Sequence, residues 1–230
     1  MEINKNLNDD ILILVPVFNE SENIIKLIKE LRKYFKNILV IDDGSIDDTL
    51  YLLNKNNINN LSHIINLGQG AALDTGLNYF INYTNFKYVI TFDGDGQHQP
   101  IDAHKLSLEI RSGNYDAIIG SRFIMDESKN KIPFIKRITL NLAKIYERVF
   151  YGIVLSDAHN GLRILERFLV LDSILPIKSC RMNHATELSA KIFHSNLKFI
   201  EYPVFIKYKG KKSQSPINAI NILINKIFYH

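Results

Sequence analysis

Short apolar runs alternate with longer amphipathic segments through the first half of the chain. Residues 11–15, ILILV, form a continuous apolar run that is typical of a strand buried on both faces. Apolar residues then recur at helical spacing over residues 24–35, and similar segments separate the later runs. Four of those later runs have the composition of strands: NILVIDD at 37–43, SHIIN at 62–66, VITF at 89–92 and YDAIIGS at 115–121.

The order of these segments predicts the fold class. A β-α-β-α-β-α-β series with connections of helical length indicates an α/β protein, with a Rossmann-like, mostly parallel sheet and helices on both faces. Ligands of such sheets bind beyond the carboxyl ends of the strands. Polar residues follow the predicted strands at these ends: Asn19, Glu20, Asp42, Asp43, Asn66, Asp93, Asp95, Ser121 and Arg122. The pattern therefore predicts a functional cleft along one edge of the sheet.

The second half of the chain is less regular. Residues 134–151 have the spacing of a basic amphipathic helix, and SDAHNGLRILER at 156–167 leads into another helix. Residues 181–196 predict a further helix, and residues 198–208 predict one or two strands. Because we find no internal repeat and no linker, we expect a single domain.

Composition narrows the class of protein only slightly. The 230 residues are 46% hydrophobic and 23% charged, as in an ordinary folded protein, and the net charge of +4 does not imply a nucleic-acid partner. A single cysteine, Cys180, excludes an intrachain disulfide and fits a reducing compartment. The polar N-terminus predicts no signal peptide, and no apolar run approaches the roughly 18 residues of a membrane span.

Two carboxylates stand at the end of the fourth predicted strand. Asp93 and Asp95 follow VITF, with Gly94 and Gly96 beside them. Hard divalent cations prefer carboxylate oxygens, and Mg²⁺ is commonly held by one or two carboxylates together with substrate phosphates. The glycines allow a sharp turn and a close approach of the backbone. The motif therefore favours a divalent cation that bridges phosphates, although a solvated Asp-Gly turn uses the same residues.

Other classes of protein with similar motifs fit less well. A calcium loop starting at Asp93 would need Gly at its sixth position and Glu at its twelfth, where this chain has His98 and His104. Phosphatases with an aspartyl nucleophile place Asp-x-Asp after the first strand and continue with Thr or Val, whereas this motif follows the fourth strand and continues with Gln97. The glycines of GQGAAL lack the third glycine of a dinucleotide fingerprint, whose place is taken by Leu73.

Five motifs in the first half resemble the successive signatures of family 2 glycosyltransferases with the GT-A fold. They are ILVPVFNESENI, VIDDGSIDDT, NLGQGAALDTGL, VITFDGDGQHQP and AIIGSRF, in that order. The chain resembles most closely the dolichyl- or polyprenyl-phosphate sugar transferases. DAHNGLRIL and RMNHATEL resemble a bacterial branch of that group, often encoded beside a small membrane protein. The resemblance implies inverting transfer of a hexose from a UDP- or GDP-linked sugar to polyprenyl (undecaprenyl) phosphate, with Mg²⁺ or Mn²⁺ as cofactor.

The resemblance also implies roles for residues at the strand ends. The nucleotide would contact a first loop, one of two aspartates and a glycine loop: Pro16, Phe18, Glu20, Asp42 or Asp43, Gly68 and Gly70. The metal and the diphosphate would bind Asp93 and Asp95, assisted by Gln97. Arg122 would contact the phosphate of the donor or of the acceptor.

Several residues also have a purely structural interpretation. Phe18 would suit the core, and Arg122 would suit a salt bridge that ties a loop. Asp47 and Asp48 fit a charge pair at a helix N-terminus better than a ligand site. His98 fits a residue that orients the metal loop better than a metal ligand.

The acceptor decides whether the reaction needs a base. A lipid phosphate is already anionic near neutral pH, so positioning and charge neutralisation suffice, whereas a sugar hydroxyl requires a carboxylate within hydrogen-bond reach. Asp157 and Glu187 are the candidate bases, and the alternative is that each holds Arg163, His159 or His184 in place. The full set of catalytic candidates is Asp95, Arg122, Asp157, Arg163 and Glu187.

The C-terminal residues predict a contact with lipid. KYKGKK at 207–212 carries four lysines, and the apolar residues behind it fall on one helical face. A basic loop with an amphipathic helix is typical of an interfacial anchor near anionic lipid, although such stripes also pack on domains. We therefore divide the chain into a catalytic domain, residues 1–206, and residues 207–230, which belong to that domain or face the membrane. The expected location is peripheral, on the cytoplasmic face.

Two further functions remain open at this stage. The acceptor could instead be a glycan hydroxyl in the assembly of a cell-surface polysaccharide, or the chain could be an inactive nucleotide-binding scaffold of the same fold. The sequence does not determine the donor sugar, its nucleotide or the oligomeric state.

Overall fold

The computed structural model of the protein describes residues 8–126, 132–181 and 183–208. Its strands are β1 Ile11–Val17, β2 Ile38–Asp42, β3 Asn60–Ser62, β4 Tyr88–Thr91, β5 Ala117–Ser121, β6 Arg163–Glu166 and β7 Phe199–Pro203. In this part of the chain they form one seven-stranded sheet in the order β3-β2-β1-β4-β6-β5-β7. Neighbouring strands are parallel, except that β6 runs antiparallel to both β4 and β5. The structure therefore confirms a mostly parallel α/β sheet.

The helices follow the strands in the order that the sequence predicts. They are α1 Ile24–Leu31, α2 Thr49–Lys55, α3 Gln69–Tyr83, α4 Pro100–Ser112, α5 Phe134–Tyr151, α6 Arg167–Leu169 and α7 His184–His194. A π-helical turn, Val170–Ile174, continues α6.

Helices cover both faces of the sheet. Ile11, Ile13 and Val15 of β1 pack in one buried cluster with apolar residues of α1 and α4. Leu12 and Leu14, which alternate with them, pack in a second cluster with α3 and α7. Successive side chains of a strand point to opposite faces, so a strand buried on both sides requires an uninterrupted apolar run.

The predicted third strand, residues 62–66, shares only Ser62 with the observed strand, since it begins two residues too late and ends four residues too late. The strand ends at Ser62, and the chain leaves the sheet at His63, whose Nδ1 lies 2.8 Å from Asp43 Oδ1. Ile64 and Ile65 are therefore exposed residues on the rim of the sheet.

The prediction that SDAHNGLRILER leads into a helix is confirmed, because α6 begins at Arg167, but the strand within this segment was not predicted. Its RILE residues form β6, which lies between β4 and β5 and pairs Thr91 with Arg163. A run of four residues is too short for periodicity to distinguish a strand from the start of a helix. The insertion brings the first residue of β6 to the edge where the parallel strands end.

The C-terminal predictions concern residues that the structure does not describe. The basic loop and amphipathic helix at 209–230 lie outside the described residues, so they and the boundary at residue 207 stay predictions. Among the helices of the described ranges, none has the length and apolar character needed to cross a membrane.

Candidate active site

Charged side chains from several strands meet at one edge of the sheet. β1, β2, β4 and β5 end at this edge, and β6 begins there because it runs antiparallel. The residues at these strand ends include Asp42, Asp43, Asp93, Arg122 and Arg163. This is the edge at which open α/β sheets bind their ligands.

Asp93 lies just beyond β4 and is held by two side chains. Its Oδ1 accepts a hydrogen bond from Gln69 Nε2 at 2.8 Å, and its Oδ2 lies 3.3 Å from His98 Nε2. Gly161 packs so closely that a Cβ there would lie 2.1 Å from Asp93 Oδ2. Burial alone would raise the pKa of Asp93, but His98 and the cation Arg163 lower it below its usual value. Asp93 is therefore a carboxylate at neutral pH.

Asp95 lies in the turn that follows Asp93 and is exposed. Its Oδ1 accepts a hydrogen bond from the backbone N–H of Gln97 at 2.9 Å. Gly94 allows the turn to pack on β1, since a Cβ there would lie 2.4 Å from Val17 Cγ1. The three predicted metal-site residues thus belong to one turn, in which the backbone of Gln97 supports Asp95.

Three buried nitrogen atoms around Asp93 have no hydrogen-bond partner in the described part of the chain. They are His98 Nδ1, Asn160 Nδ2 and Arg163 Nε. His98 contacts Asp93 directly, Asn160 precedes the glycine that packs on it, and Arg163 interacts with it electrostatically. Buried polar atoms in folded proteins are nearly always paired, so these atoms call for a partner such as water, an ion or a polar ligand.

Arg163 is a buried cation whose hydrogen bonds within the described residues reach only neutral oxygens. It is 1% exposed, and its Nη2 donates to the carbonyl of Ala158 at 3.0 Å and to Ser189 Oγ at 3.3 Å. Burial lowers the pKa of Arg163, and the nearby carboxylates of Asp93 and Asp157 oppose this change. One nitrogen of this guanidinium, Nε, therefore stays without an acceptor among the described residues.

Arg122 and Asp157 form a buried ion pair. Arg122 Nε donates to Asp157 Oδ2 and its Nη2 to Oδ1, both at 2.6 Å. Burial would raise the pKa of Asp157, but Arg122 lowers it below its usual value, and the carboxylate raises the pKa of Arg122 in turn. The structure thus shows Arg122 in a salt bridge, which was the structural alternative to its predicted contact with a phosphate. It gives Asp157 a partner other than the predicted His159 or Arg163.

Glu187, the second candidate base, holds a loop. Its carboxylate accepts hydrogen bonds from the backbone N–H groups of Lys178 at 2.9 Å and Ser179 at 2.7 Å, and lies 3.0 Å from Lys191 Nζ. Burial would raise the pKa of Glu187, but these donors lower it to about 2. Glu187 does not hold His159 as the sequence suggested, because His159 Nε2 lies 3.1 Å from Glu147 Oε1.

The 178–181 segment covers the two glycines at the start of α3. The backbone N–H of Gly70 donates to the carbonyl of Cys180 at 2.8 Å, and a Cβ on Gly70 would lie 1.9 Å from the carbonyl oxygen of Ser179. Gly68 has a φ of +105°, and a Cβ there would lie 2.4 Å from the Cys180 oxygen. The space beside both glycines is therefore filled by this chain's own backbone, a contact that the sequence did not predict.

The two aspartates at the end of β2 have different surroundings. Asp43 binds four donors of the following loop: His63 Nδ1, Asn66 Nδ2 and the backbone N–H groups of Leu67 and Gly68. Asp42 accepts hydrogen bonds from the backbone N–H of Ser45 at 3.3 Å and from Ser62 Oγ at 2.9 Å. A carboxylate has about four lone-pair sites, so Asp43 is saturated and Asp42 is not.

The residues of the predicted first loop lie at different depths. Pro16 is a buried residue of β1, whereas Phe18 is exposed beyond the strand and is not part of the core. Glu20 Oε2 accepts a hydrogen bond from Asn23 Nδ2 at 2.9 Å at the start of α1.

Asp47 and Asp48 lie at the N-terminus of α2, as predicted. Asp48 is its N-cap residue, and Asp47 accepts hydrogen bonds from the backbone of Thr49 and of Ser21. Burial would raise the pKa of Asp47, but these donors lower it to about 2. Asp47 therefore organises loops beside the site, whereas Asp48 caps the helix without a side-chain hydrogen bond.

Some residues of this edge carried no separate signal in the sequence. In the sequence, Gln69 stands between the two glycines of the predicted turn and has no predicted role of its own. Its contact with Asp93 depends on how α3 packs. Asn160 and Gly161 lie inside the NGLR motif, so the motif marked the position without revealing their neighbours.

Comparison with known proteins agrees with this architecture. The profile of the family described as Glycosyl transferase family 2 matches residues 12–172. The uncharacterized protein MJ1222 of Methanocaldococcus jannaschii is 34% identical over 230 residues, which cover 98% of this chain and 93% of that protein. The UDP-N-acetylglucosamine–dolichyl-phosphate N-acetylglucosaminyltransferase of Methanococcus voltae is 27% identical over 239 residues, which cover 95% and 93% of the two chains.

A solved structure has the same fold at low sequence identity. It is glucosyl-3-phosphoglycerate synthase from Mycobacterium tuberculosis, in complex with Mn²⁺, UDP and glucosyl-3-phosphoglycerate. The TM-score is 0.66 at 14% identity, and the match covers 94% of this chain and 78% of the other.

Proposed function

Since the chain belongs to glycosyl transferase family 2, we propose that it transfers a hexose from a nucleotide-diphosphate sugar to a polyprenyl phosphate, with inversion at the anomeric carbon. The chain is a glycosyltransferase with the GT-A fold. The Methanococcus voltae relative is named for a UDP-sugar donor and a dolichyl-phosphate acceptor, which supports this choice of substrates.

One observation carries the proposal: the buried guanidinium of Arg163 has no carboxylate partner and an unpaired Nε among the described residues. Asp93 and Asp157 attract this cation without a direct ion pair, so the cost of burying the charge is only partly compensated. A phosphate oxyanion would supply both the charge and the acceptor for Nε, and arginine is well suited to phosphate geometry. Asn160 Nδ2 would provide a further donor beside it.

Asp93 and Asp95 fit a divalent cation that is shared with substrate phosphates. Within the described ranges, no group of three or more His, Cys, Asp or Glu side chains could hold a metal ion by itself. Mg²⁺ is commonly bound by only one or two carboxylates together with phosphates, and Mn²⁺ accepts the same oxygen ligands. We propose these two aspartates as the protein ligands. When bound, the ion would neutralise the charge of the departing diphosphate.

The proposed reaction requires no proton transfer. A phosphate oxygen of the acceptor attacks the anomeric carbon from the face opposite the nucleoside diphosphate, which leaves with the electrons of the broken C–O bond. Asp157 and Glu187 are occupied by Arg122 and by backbone N–H groups, and both carboxyls have lowered pKa values. We therefore assign neither of them as a base. An anionic acceptor needs only orientation and charge neutralisation.

At the nucleotide end, we propose that Asp42 contacts the base and that Phe18 packs against it. Asp42 retains acceptor capacity, whereas Asp43 is saturated by its own loop. Phe18 is an exposed aromatic ring on the neighbouring loop, and such rings stack well on flat partners.

A transfer assay with two acceptors tests the proposal. Purified protein with Mn²⁺ and a panel of UDP- and GDP-sugars would receive either a polyprenyl phosphate in detergent or a soluble glycan. We expect product on the lipid phosphate with one donor. Product on the glycan alone would refute the lipid acceptor in favour of polysaccharide assembly.

The variant Asp95→Asn separates an enzyme from an inactive scaffold. Asp95 is exposed, so the change should preserve folding while lowering turnover by about 10²-fold, since removing one charged ligand weakens the stabilisation of the leaving group. Asp172→Asn, at an exposed site in the π-helical turn, is the matched control. Equal turnover in the two variants would refute the site assignment.

We also propose peripheral binding at the cytoplasmic face of the membrane, where a soluble donor meets a lipid acceptor. The comparisons do not support the predicted small membrane protein as a partner, and we do not propose one.

A further inference from the structure

Helix α5 exposes an apolar stripe that the rest of the described chain does not cover. Its members recur at helical spacing and are between 45% and 77% exposed: Phe134, Ile138, Leu142, Ile145 and Val149. Tyr146 and Glu147, on another side of the same helix, are buried. At about 1.5 Å per residue the stripe is about 22 Å long. It is therefore a continuous apolar surface, unlike the single exposed apolar residues that are common on soluble proteins.

A row of positive charge runs beside this stripe. Arg137, Lys144 and Arg148 are three exposed residues at spacings of seven and four, which places them on one flank of the apolar residues. The acidic residue of α5, Glu147, is buried against Thr186 Oγ1 at 2.8 Å and His159 Nε2 at 3.1 Å. Among the described side chains, the exposed side of α5 is therefore apolar and cationic, with no carboxylate.

The helix is firmly connected to the candidate active site. It joins the segment after Arg122 to the segment that carries Asp157, and these two residues form the buried ion pair. Glu147 ties α5 to His159, and the carbonyl of Tyr151 contacts His194 of α7 at 2.8 Å. A surface that binds α5 therefore lies next to the edge where we place the acceptor phosphate.

We propose that α5 lies in the headgroup region of an anionic membrane, with the stripe toward the acyl chains and the basic row on the phosphates. Helices with an apolar face, a basic flank and too little apolar length to span a bilayer bind in this way. A second copy of α5 would bring only further positive charge, so a lipid surface is the better complement. The relevance of this surface to catalysis rests on the proposed lipid acceptor, but the binding itself does not.

Vesicle co-sedimentation tests the surface directly. The full chain would be mixed with vesicles of phosphatidylcholine, alone or with phosphatidylglycerol. We expect binding to the anionic vesicles, and at least tenfold weaker binding for Leu142→Glu/Ile145→Glu. Leu108→Glu on α4 is the control, because Leu108 is 43% exposed and Leu142 is 49% exposed. The control should bind as the wild type does.

A second variant tests the basic row. Arg137→Gln/Lys144→Gln/Arg148→Gln should lose most of the preference for phosphatidylglycerol while keeping whatever affinity the apolar stripe gives for phosphatidylcholine. Added salt should weaken wild-type binding more than it weakens that of the triple variant.

Three results would overturn the proposal. The first is no binding of the wild type to anionic vesicles, or equal binding of the wild type and Leu142→Glu/Ile145→Glu. The second is a wild-type dimer in sedimentation velocity that the double variant converts to monomer while vesicle binding is unchanged, which would assign the stripe to self-association. The third is a large loss of thermal stability in the double variant with unchanged vesicle binding, which would show that another part of this chain covers the stripe.

The outcome can be separated from that of the proposed function. If transfer to polyprenyl phosphate fails but the double variant still loses vesicle binding, the surface stands and the acceptor is wrong. If the double variant keeps turnover on a short-chain acceptor in solution, its effect on vesicles is not a catalytic defect.

Discussion

Two buried arginines at one edge of the sheet have opposite surroundings. Arg122 is neutralised by both oxygens of Asp157, whereas Arg163 meets only neutral acceptors and has an unpaired Nε within the described chain. Removing one partner of a buried ion pair costs about 3–5 kcal/mol, because the other charge is left buried without compensation. Arg122 therefore maintains the fold, while Arg163 has the surroundings of a binding residue.

Arg163→Met should separate stability from function. We expect the free energy of unfolding of the unliganded protein to stay within about 1 kcal/mol of the wild type or to rise, because the variant removes the desolvation cost of a buried charge that makes no direct ion pair among the described residues. Transfer to polyprenyl phosphate should fall by about 10²-fold, because the acceptor or donor phosphate loses its cation. Urea unfolding and initial rates measure the two effects, and a variant that is strongly destabilised yet fully active would contradict this role.

Glu187→Gln should change the pH dependence of stability. The folded-state pKa of Glu187 is lowered to about 2 from 4.5, so its contribution is fully present above about pH 4.5 and is lost as the pH falls toward 2. We expect the variant to be less stable by roughly 1–3 kcal/mol at neutral pH, with the difference shrinking in acid. Denaturant unfolding at several pH values measures this, with the exposed Glu30→Gln as control. A difference that does not depend on pH would argue against these hydrogen bonds.

At the scale of elements, the sheet edge is assembled from segments that are far apart in the chain. The start of α3 receives the Cys180 carbonyl, and β6 places Arg163 beside β4. The parallel strands were predictable because each is a local apolar run followed by a helix. The antiparallel β6 and the 178–181 segment were not, since a four-residue strand and a loop contact carry no periodicity. The sequence indicated Asp157 as a candidate base, but only the packing showed that its partner is Arg122.

Gly70→Ala tests the contact between α3 and the 178–181 segment. The new Cβ would lie 1.9 Å from the carbonyl oxygen of Ser179, so we expect a loss of about 1–3 kcal/mol and faster hydrogen exchange in residues 178–181. Gly96→Ala is the control, because nothing lies within 4 Å of its Cβ position and only its φ of +70° opposes the change. Unaltered exchange in the Gly70 variant would show that the segment does not rest on this glycine.

At the scale of the whole molecule, the candidate active site and the exposed side of α5 have complementary proposed roles, since one would bind the lipid acceptor and the other the membrane that contains it. The net charge of +4 is modest, but Arg137, Lys144 and Arg148 concentrate part of it beside an apolar stripe near the proposed acceptor site. A protein arranged in this way can take a soluble donor and a membrane-bound acceptor at one edge of its sheet.

Salt should therefore affect the reaction according to how the acceptor is presented. With a polyprenyl phosphate embedded in anionic vesicles, the initial rate should fall as salt screens the basic row of α5. With a short-chain acceptor in solution, the same salt series should change the rate much less. Identical salt profiles for the two acceptors would contradict a membrane contribution from α5.

The metal dependence of nucleotide binding tests the central claim most directly. Calorimetric titration of UDP and GDP would be run on the wild type and on Asp95→Asn, each with Mn²⁺ and with a chelator. We predict that one nucleotide binds the wild type at least tenfold more tightly with Mn²⁺, and that Asp95→Asn loses this gain, since by our proposal Asp93 and Asp95 would hold the ion that is shared with the diphosphate. Equal affinity with and without metal in the wild type, or an undiminished gain in the variant, would contradict the account.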